Sequence, residues 1–178
     1  GDSTKILYNL VAPDGSLGDT GSPDKIIYKQ GDGDVNAHDW FYEATAAGVV
    51  MQAEILLASR NMNAVSKYLP HMERSCDFIE RARDTLNKLF LVGPACNLLA
   101  PSYGGIKQAD GTFGKGYLAG LSITYLAALD RMTELYKMTG NDKKLAEYQR
   151  RQKITRESLP ILLTDNGYFV KSIEPGGI

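Results

Sequence analysis

Apolar positions in this chain fall into four runs at helical spacing, arranged as two similar pairs. The first run covers about 40–59, with Phe41, Ala44, Gly48, Met51, Ile55 and Ala58 on one stripe. Asp39 precedes it as an N-cap, and the small side chains from Ala44 to Gly48 admit another helix closely. The second run, about 63–88, sets Val65, Tyr68, Met72, Cys76, Ile79 and Leu86 at the same period, and Pro70 predicts a kink or restart within it. The third, about 116–139, carries Leu118, Leu121, Tyr125, Leu129, Met132 and Tyr136, and Gly140 ends it as a C′ residue. The fourth, about 142–163, starts at a capping Asn141 or Asp142 and presents Leu145, Tyr148, Leu159 and Leu162, with Pro160 in its last turn. A turn at Asp165-Asn166-Gly167 then leads into an extended Tyr168-Phe169-Val170.

The two pairs repeat one another. Glu54-Ile55 matches Glu134-Leu135, and without a gap Asn61 matches Asn141, Val65 matches Leu145 and Tyr68 matches Tyr148. One hairpin cannot bury its own apolar face, so a repeated hairpin predicts two of them stacked side by side. The expected fold class is all-α: tandem antiparallel helical hairpins with long loops and little or no β. Residues 1–39 read as an N-terminal loop segment, in which Lys5–Tyr8 could be extended, and 40–178 as a two-hairpin helical domain. The connection at about 89–115 is rich in Gly and Pro, and a loop of that length is usually functional or partly structured.

Composition narrows the field. The chain has 178 residues, enough for one domain with a real core. A net charge of −1 gives no long-range pull toward nucleic acid or a membrane surface, so neither is expected as a partner. No run approaches the length of a membrane span, and Gly1-Asp2-Ser3 opens no signal peptide. Cys76 and Cys96 lack metal-ligand spacing and read as buried structural thiols. The basic residues of the fourth run, Lys143, Lys144, Arg150, Arg151, Lys153 and Arg156, read as a solvated outer face.

The first and third helices are repeat equivalents, so the loops before them should emerge on one face. These two loops also hold most of the chain's unusual chemistry. The first reads Gly31-Asp32-Gly33-Asp34-Val35-Asn36-Ala37-His38-Asp39 and runs into Trp40-Phe41-Tyr42-Glu43; the second, 101–115, contains Tyr103, Gly104-Gly105, Gln108 and Asp110. Aromatics beside carboxylates and amides suit carbohydrate, whose rings stack on aromatic faces while their hydroxyls need dense hydrogen bonding. Glycosidic cleavage further requires paired carboxyl groups. Asp39 and Glu43 share a helix face four residues apart; either one of them is a catalytic acid or base, or Asp39 is an N-cap and Glu43 a first-turn acid favoured by the helix dipole. His38 and Trp40 are open between substrate contacts and structural roles. Asp32 and Asp34 lack the register of an EF-hand and read as a turn, and His71 has no second metal ligand near it in sequence. No Gly-Lys-Ser/Thr follows the glycines of the second loop, so it is no phosphate loop.

The Ala-rich inner stretch Gly120-Leu121-Ser122-Ile123-Thr124-Tyr125-Leu126-Ala127-Ala128-Leu129, the Thr139-Gly140-Asn141-Asp142 break and Asn166-Gly167-Tyr168-Phe169-Val170 together resemble the six-hairpin glycosidases. Those enzymes share an (α/α)6 toroid. The resemblance covers about 31–173 and implies hydrolysis of glycosidic bonds in an oligo- or polysaccharide by paired carboxylates, with no cofactor and no metal. It implies a substrate funnel lined by the loops before the inner helices, with Glu43 or Asp39 catalytic and Trp40, His38, Tyr103, Gln108 and Asp110 contacting sugar. A secreted or periplasmic setting goes with it. Two hairpins are far short of six, so the expectation is a partial toroid, inactive alone, able to self-associate through the flank left by missing hairpins. The alternative is a non-catalytic helical-repeat module that binds other proteins.

Overall fold

A computed structural model describes residues 15–16, 27–30, 33–92 and 115–178, with side chains described at 15–16, 42–92 and 115–178. Two short strands, β1 (Ile27–Gln30) and β2 (Gly33–Asn36), pair antiparallel and lead directly into helix α1 (Ala37–Ser59). Helix α2 (Met62–Glu80) follows, then strands β3 (Leu91–Val92) and β4 (Gly116–Leu118). Helix α3 (Ala119–Thr139), helix α4 (Asp142–Ser158), a 3-10 turn (Leu159–Leu162) and strand β5 (Ser172–Ile173) complete the order before a last short turn at Pro175–Gly177. The architecture is the expected all-α one, two antiparallel helical hairpins side by side. A three-stranded antiparallel sheet in the order β3-β4-β5 is added at one end.

Contacts between named residues give the helix directions. Within the hairpins the Tyr42 ring stacks on Phe78 at 4.4 Å, and Tyr136 meets Tyr148 at 4.9 Å. Between hairpins, Glu43 lies against Gly120 and Glu54 pairs with Arg131. Both pairs are 77 apart in sequence, so α1 and α3 run parallel with their first turns near one another. The outer helices α2 and α4 are parallel too, joined by Arg151–Asp77 at 2.7 Å and Lys144–Glu73 at 3.5 Å. The Glu54–Arg131 pair is about half exposed and contributes little by itself, so packing rather than charge holds the register.

The core lies between these layers. Ala46, Val49, Ala53 and Leu56 of α1 meet Val65, Tyr68, Met72, Cys76 and Ile79 of α2 and Leu121, Tyr125, Leu129, Met132 and Tyr136 of α3, all buried. The α2 stripe is the expected one, and Cys76 is a buried free thiol whose desolvation pushes it up to about 12. The α1 stripe is not the expected one: Met51 and Ile55 are 51% and 41% exposed. That helix is apolar almost all round, so periodicity alone does not choose its buried face.

Other boundaries also differ from expectation. Residues 27–30 and 33–36 form a strand pair where a loop was expected, and α1 begins at Ala37, so Asp39 lies inside its first turn and is not its cap. Asn36, a residue type favoured just before helices, stands at the junction. Helix α2 runs through Pro70 but stops at Glu80, and Leu86 is 90% exposed rather than on a buried stripe. The reason is a competing turn. The Asp84 carboxylate accepts the Leu86 N–H at 2.7 Å, the Asp84 N–H donates to the Leu89 carbonyl at 2.8 Å, and Lys88 adopts a positive φ of 65°. Residues 116–118 are strand β4 rather than helix, and α4 gives way to the 3-10 turn at Leu159, where Pro160 follows. The extended piece after Gly167 contributes only a Leu163–Phe169 bridge, the true strand coming later at Ser172. Nor is the α4 basic face wholly solvated. Arg151 is largely buried, bonded to Asp77 and Glu147 and stacked 4.8 Å over the Tyr148 ring. Lys5–Tyr8 and Cys96 lie outside the described residues.

The sequence repeat has a structural counterpart at the hairpin tips. Asn61 Oδ1 accepts from the Asn63 and Ala64 N–H groups, and Asn141 Oδ1 from Lys144 N–H. Before each cap the chain passes through the left-handed region, at Gly140 (φ 68°) and at Arg60 (φ 50°). Gly140 takes this conformation freely, whereas Arg60 is strained by its Cβ. Arg60→Gly should therefore stabilise the protein by about 0.5–1 kcal/mol, read as a shift in urea midpoint at constant m-value.

Candidate functional site

Parallel inner helices bring their N-terminal turns to the same end of the molecule. Strand β2 feeds α1 there and β4 feeds α3, while residues 93–114 of the second connector lie outside the described residues. The sheet closes over the start of α3: Tyr117 pairs with Ile173 and Leu118 with Ser172, and the Ala119 N–H donates to the Lys171 carbonyl at 3.2 Å. A small second core of Leu89, Tyr117, Ala119 and Leu162 anchors this arrangement. The Tyr117 hydroxyl, donating to Asp84 at 2.6 Å, ties it to the turn after α2.

Glu43 sits where these elements meet. It is 7% exposed, its Oε2 is buried without a hydrogen-bond partner among the described residues, and its Oε1 occupies the space a side chain at Gly120 would fill. Burial pushes its pKa up to about 8, although the Lys171 ammonium pulls the other way. At neutral pH the group is therefore mostly a neutral acid that can donate a proton. An exposed glutamate would be ionised instead; Glu43 is buried and, with α1 starting at Ala37, stands beyond the first turn.

Asp39, His38 and Trp40 lie on the first turn of α1, Asp39 one turn before Glu43 on the same face of the backbone. Their side chains, and all of Tyr103, Gln108 and Asp110, lie outside the described residues. Two further residues of the site, Gly120 and Lys171, escaped sequence reasoning. A glycine just inside a helix, where its low propensity is unhelpful, was an available signal for Gly120. Nothing in the sequence pointed to Lys171, which reaches the site only through the pairing of β4 with β5. His71 accepts a hydrogen bond from Arg74 at 2.6 Å on α2. Among the described residues no group of His, Cys, Asp or Glu could hold a metal ion, and no helix is long and apolar enough to cross a membrane. A shallow hollow lined by Leu57, Arg60, Glu134, Lys137 and Met138 lies at the opposite end of the inner helices.

No family model matches this chain. A search of curated proteins likewise finds no match. The site must therefore be judged on its own geometry.

A buried carboxyl with a raised pKa favours the fold most at low pH, and loses that contribution as pH rises from the ordinary glutamate range through about 8. Glu43→Gln keeps the shape and removes the titration. It should leave stability near pH 5 almost unchanged and increase it near pH 9, measured as thermal midpoints across that range.

Proposed function

We propose that this chain is part of a glycoside hydrolase-type domain, a partial (α/α)6 toroid, in which Glu43 is the proton donor. One observation carries the reading: a desolvated carboxyl, mostly protonated at neutral pH, stands at the end where strands β2 and β4 enter the inner helices. Cleaving a glycosidic bond needs an acid that protonates the departing oxygen while positive charge develops on the sugar ring. Glu43 Oε2, which has no hydrogen-bond partner among the described residues, is the atom assigned to that oxygen. Asp39, one turn earlier, is the carboxylate available on the same helix, and an inverting pair would need about 6.5–9.5 Å between the two carboxyls to hold a water. His38 and Trp40 on the first turn of α1, with Tyr103, Gln108 and Asp110 from the second connector, are assigned to sugar binding. The chemistry requires no redox cofactor.

The rival reading, a protein-binding helical-repeat module, would use the helix faces instead, where Met51, Ile55 and Ile123 are exposed. The same exposed flank is where self-association would occur.

Amide NMR of the whole chain titrated with a panel of neutral and acidic oligosaccharides separates the readings. A binding sugar should perturb Gly120, Leu121 and Lys171, and any hydrolysis of it should fall about 10²–10⁴-fold in Glu43→Gln. Silence across the panel, or perturbation confined to the flank around Met51 and Ile55, overturns the glycosidase reading.

A further inference from the structure

We propose that Gly120 is a positioning residue for Glu43: the side chain it lacks is the space that holds the Glu43 carboxyl, and Lys171 sets the charge that carboxyl experiences. The inference deepens the glycosidase reading, on which its catalytic meaning rests, but the seat itself can be tested without turnover.

The geometry is specific. A Cβ built on Gly120 would stand 2.6 Å from Glu43 Oε1, closer than two such atoms can come. Apart from α3's own backbone and the residues flanking Gly120, the described residues bring only one more atom within 4 Å of that point, Glu43 Cδ at 3.8 Å. Among the described residues a methyl group here would thus collide with the end of one flexible side chain and with nothing rigid. Alanine is also the better helix former, and Gly120 needs no left-handed backbone angle. The glycine is therefore unfavourable for α3 itself and finds its use in the neighbouring helix's carboxyl.

The other half of the seat comes from the residue that leads into the C-terminal strand. Lys171 is fixed beside the start of α3 by the Ala119–Lys171 hydrogen bond and by the pairing of β4 with β5. Among the described residues it is the charged group acting on Glu43, since residues 119–126 of α3 bring no ionised side chain. The slot is thus built from three places: α1 supplies the acid, α3 the vacancy and the residue just before β5 the cation.

The two contributions act in opposite directions, which makes the proposal falsifiable. Carbon-13 labelling of glutamate carboxyls in the full chain, with Glu43→Gln to assign the resonance, follows the Glu43 titration directly. Its midpoint should lie near 8 in the unaltered chain. Gly120→Ala should drive the carboxyl toward water and lower the midpoint by about 1–3 units. Lys171→Met removes the favourable charge and should raise it. An unchanged midpoint in Gly120→Ala, or shifts of the same sign in both variants, overturns the proposal.

Urea unfolding of Gly120→Ala with and without Glu43→Ala guards against a trivial folding defect. Any loss caused by the new methyl should vanish once the carboxyl is gone. An equal loss in both backgrounds would place the clash elsewhere and overturn the seat. A seat that passes while no sugar binds would instead refute only the glycosidase reading.

Discussion

Side-by-side parallel packing of α1 and α3 is the constraint on which everything else rests. It depends on small residues, with Ala46, Ala53 and Ala128 fully buried in the core and Gly120 against Glu43. Ridge-and-groove packing at this spacing leaves no freedom to slide by fractions of a turn. The contacts sit at a sequence offset of 77, whereas the capping asparagines sit 80 apart. The second hairpin is therefore displaced by three residues, about 4.5 Å along the helix axis, relative to the first. That displacement is what sets Glu43, two turns into α1, level with the opening turn of α3.

Polar contacts supply the specificity that apolar packing lacks. The Tyr125 hydroxyl donates to Glu80 at 2.9 Å and the Tyr136 hydroxyl to Glu73 at 2.7 Å, each linking α3 to α2. Arg83 holds Glu80 through two 2.7 Å bonds and reaches Thr155 of α4 at 2.8 Å, while its guanidinium lies over the Phe90 ring. Hydrogen bonds to charged groups are worth about 1.5–3 kcal/mol each, so this girdle weighs heavily against a slipped register. Burial and the neighbouring carboxylates push the Tyr125 and Tyr136 hydroxyls well above the ordinary tyrosine range, so both stay protonated donors at any physiological pH.

The hairpins were legible in the sequence because their outer members are amphipathic. Val65, Tyr68, Met72 and Cys76 mark one face of α2, and Asn61, Gly140 and Asn141 punctuate the tips by local chemistry that needs no tertiary context. The α1 face was not legible. Ala44, Val49, Met51, Ala53 and Ile55 spread apolar character around the helix, and only the position of α3 decides which of them is covered. Leu86 was misplaced because a helical stripe continues on paper past Glu80, while Asp84 captures the backbone first. Glu43 could be picked out as an acid near the helix start. Its burial could not, because that depends on a glycine and a lysine brought to it by tertiary packing from 77 and 128 residues away.

The most direct test of the account is a search for through-space proton contacts between the Glu43 side chain and Gly120 Hα in the isotopically labelled chain. Parallel inner helices predict clear cross-peaks between these two groups, together with cross-peaks between Leu57 and Met138 at the other end. Cross-peaks from Gly120 to Leu57, with none to Glu43, would mean the helices run antiparallel and would contradict the shared rim and the site built on it.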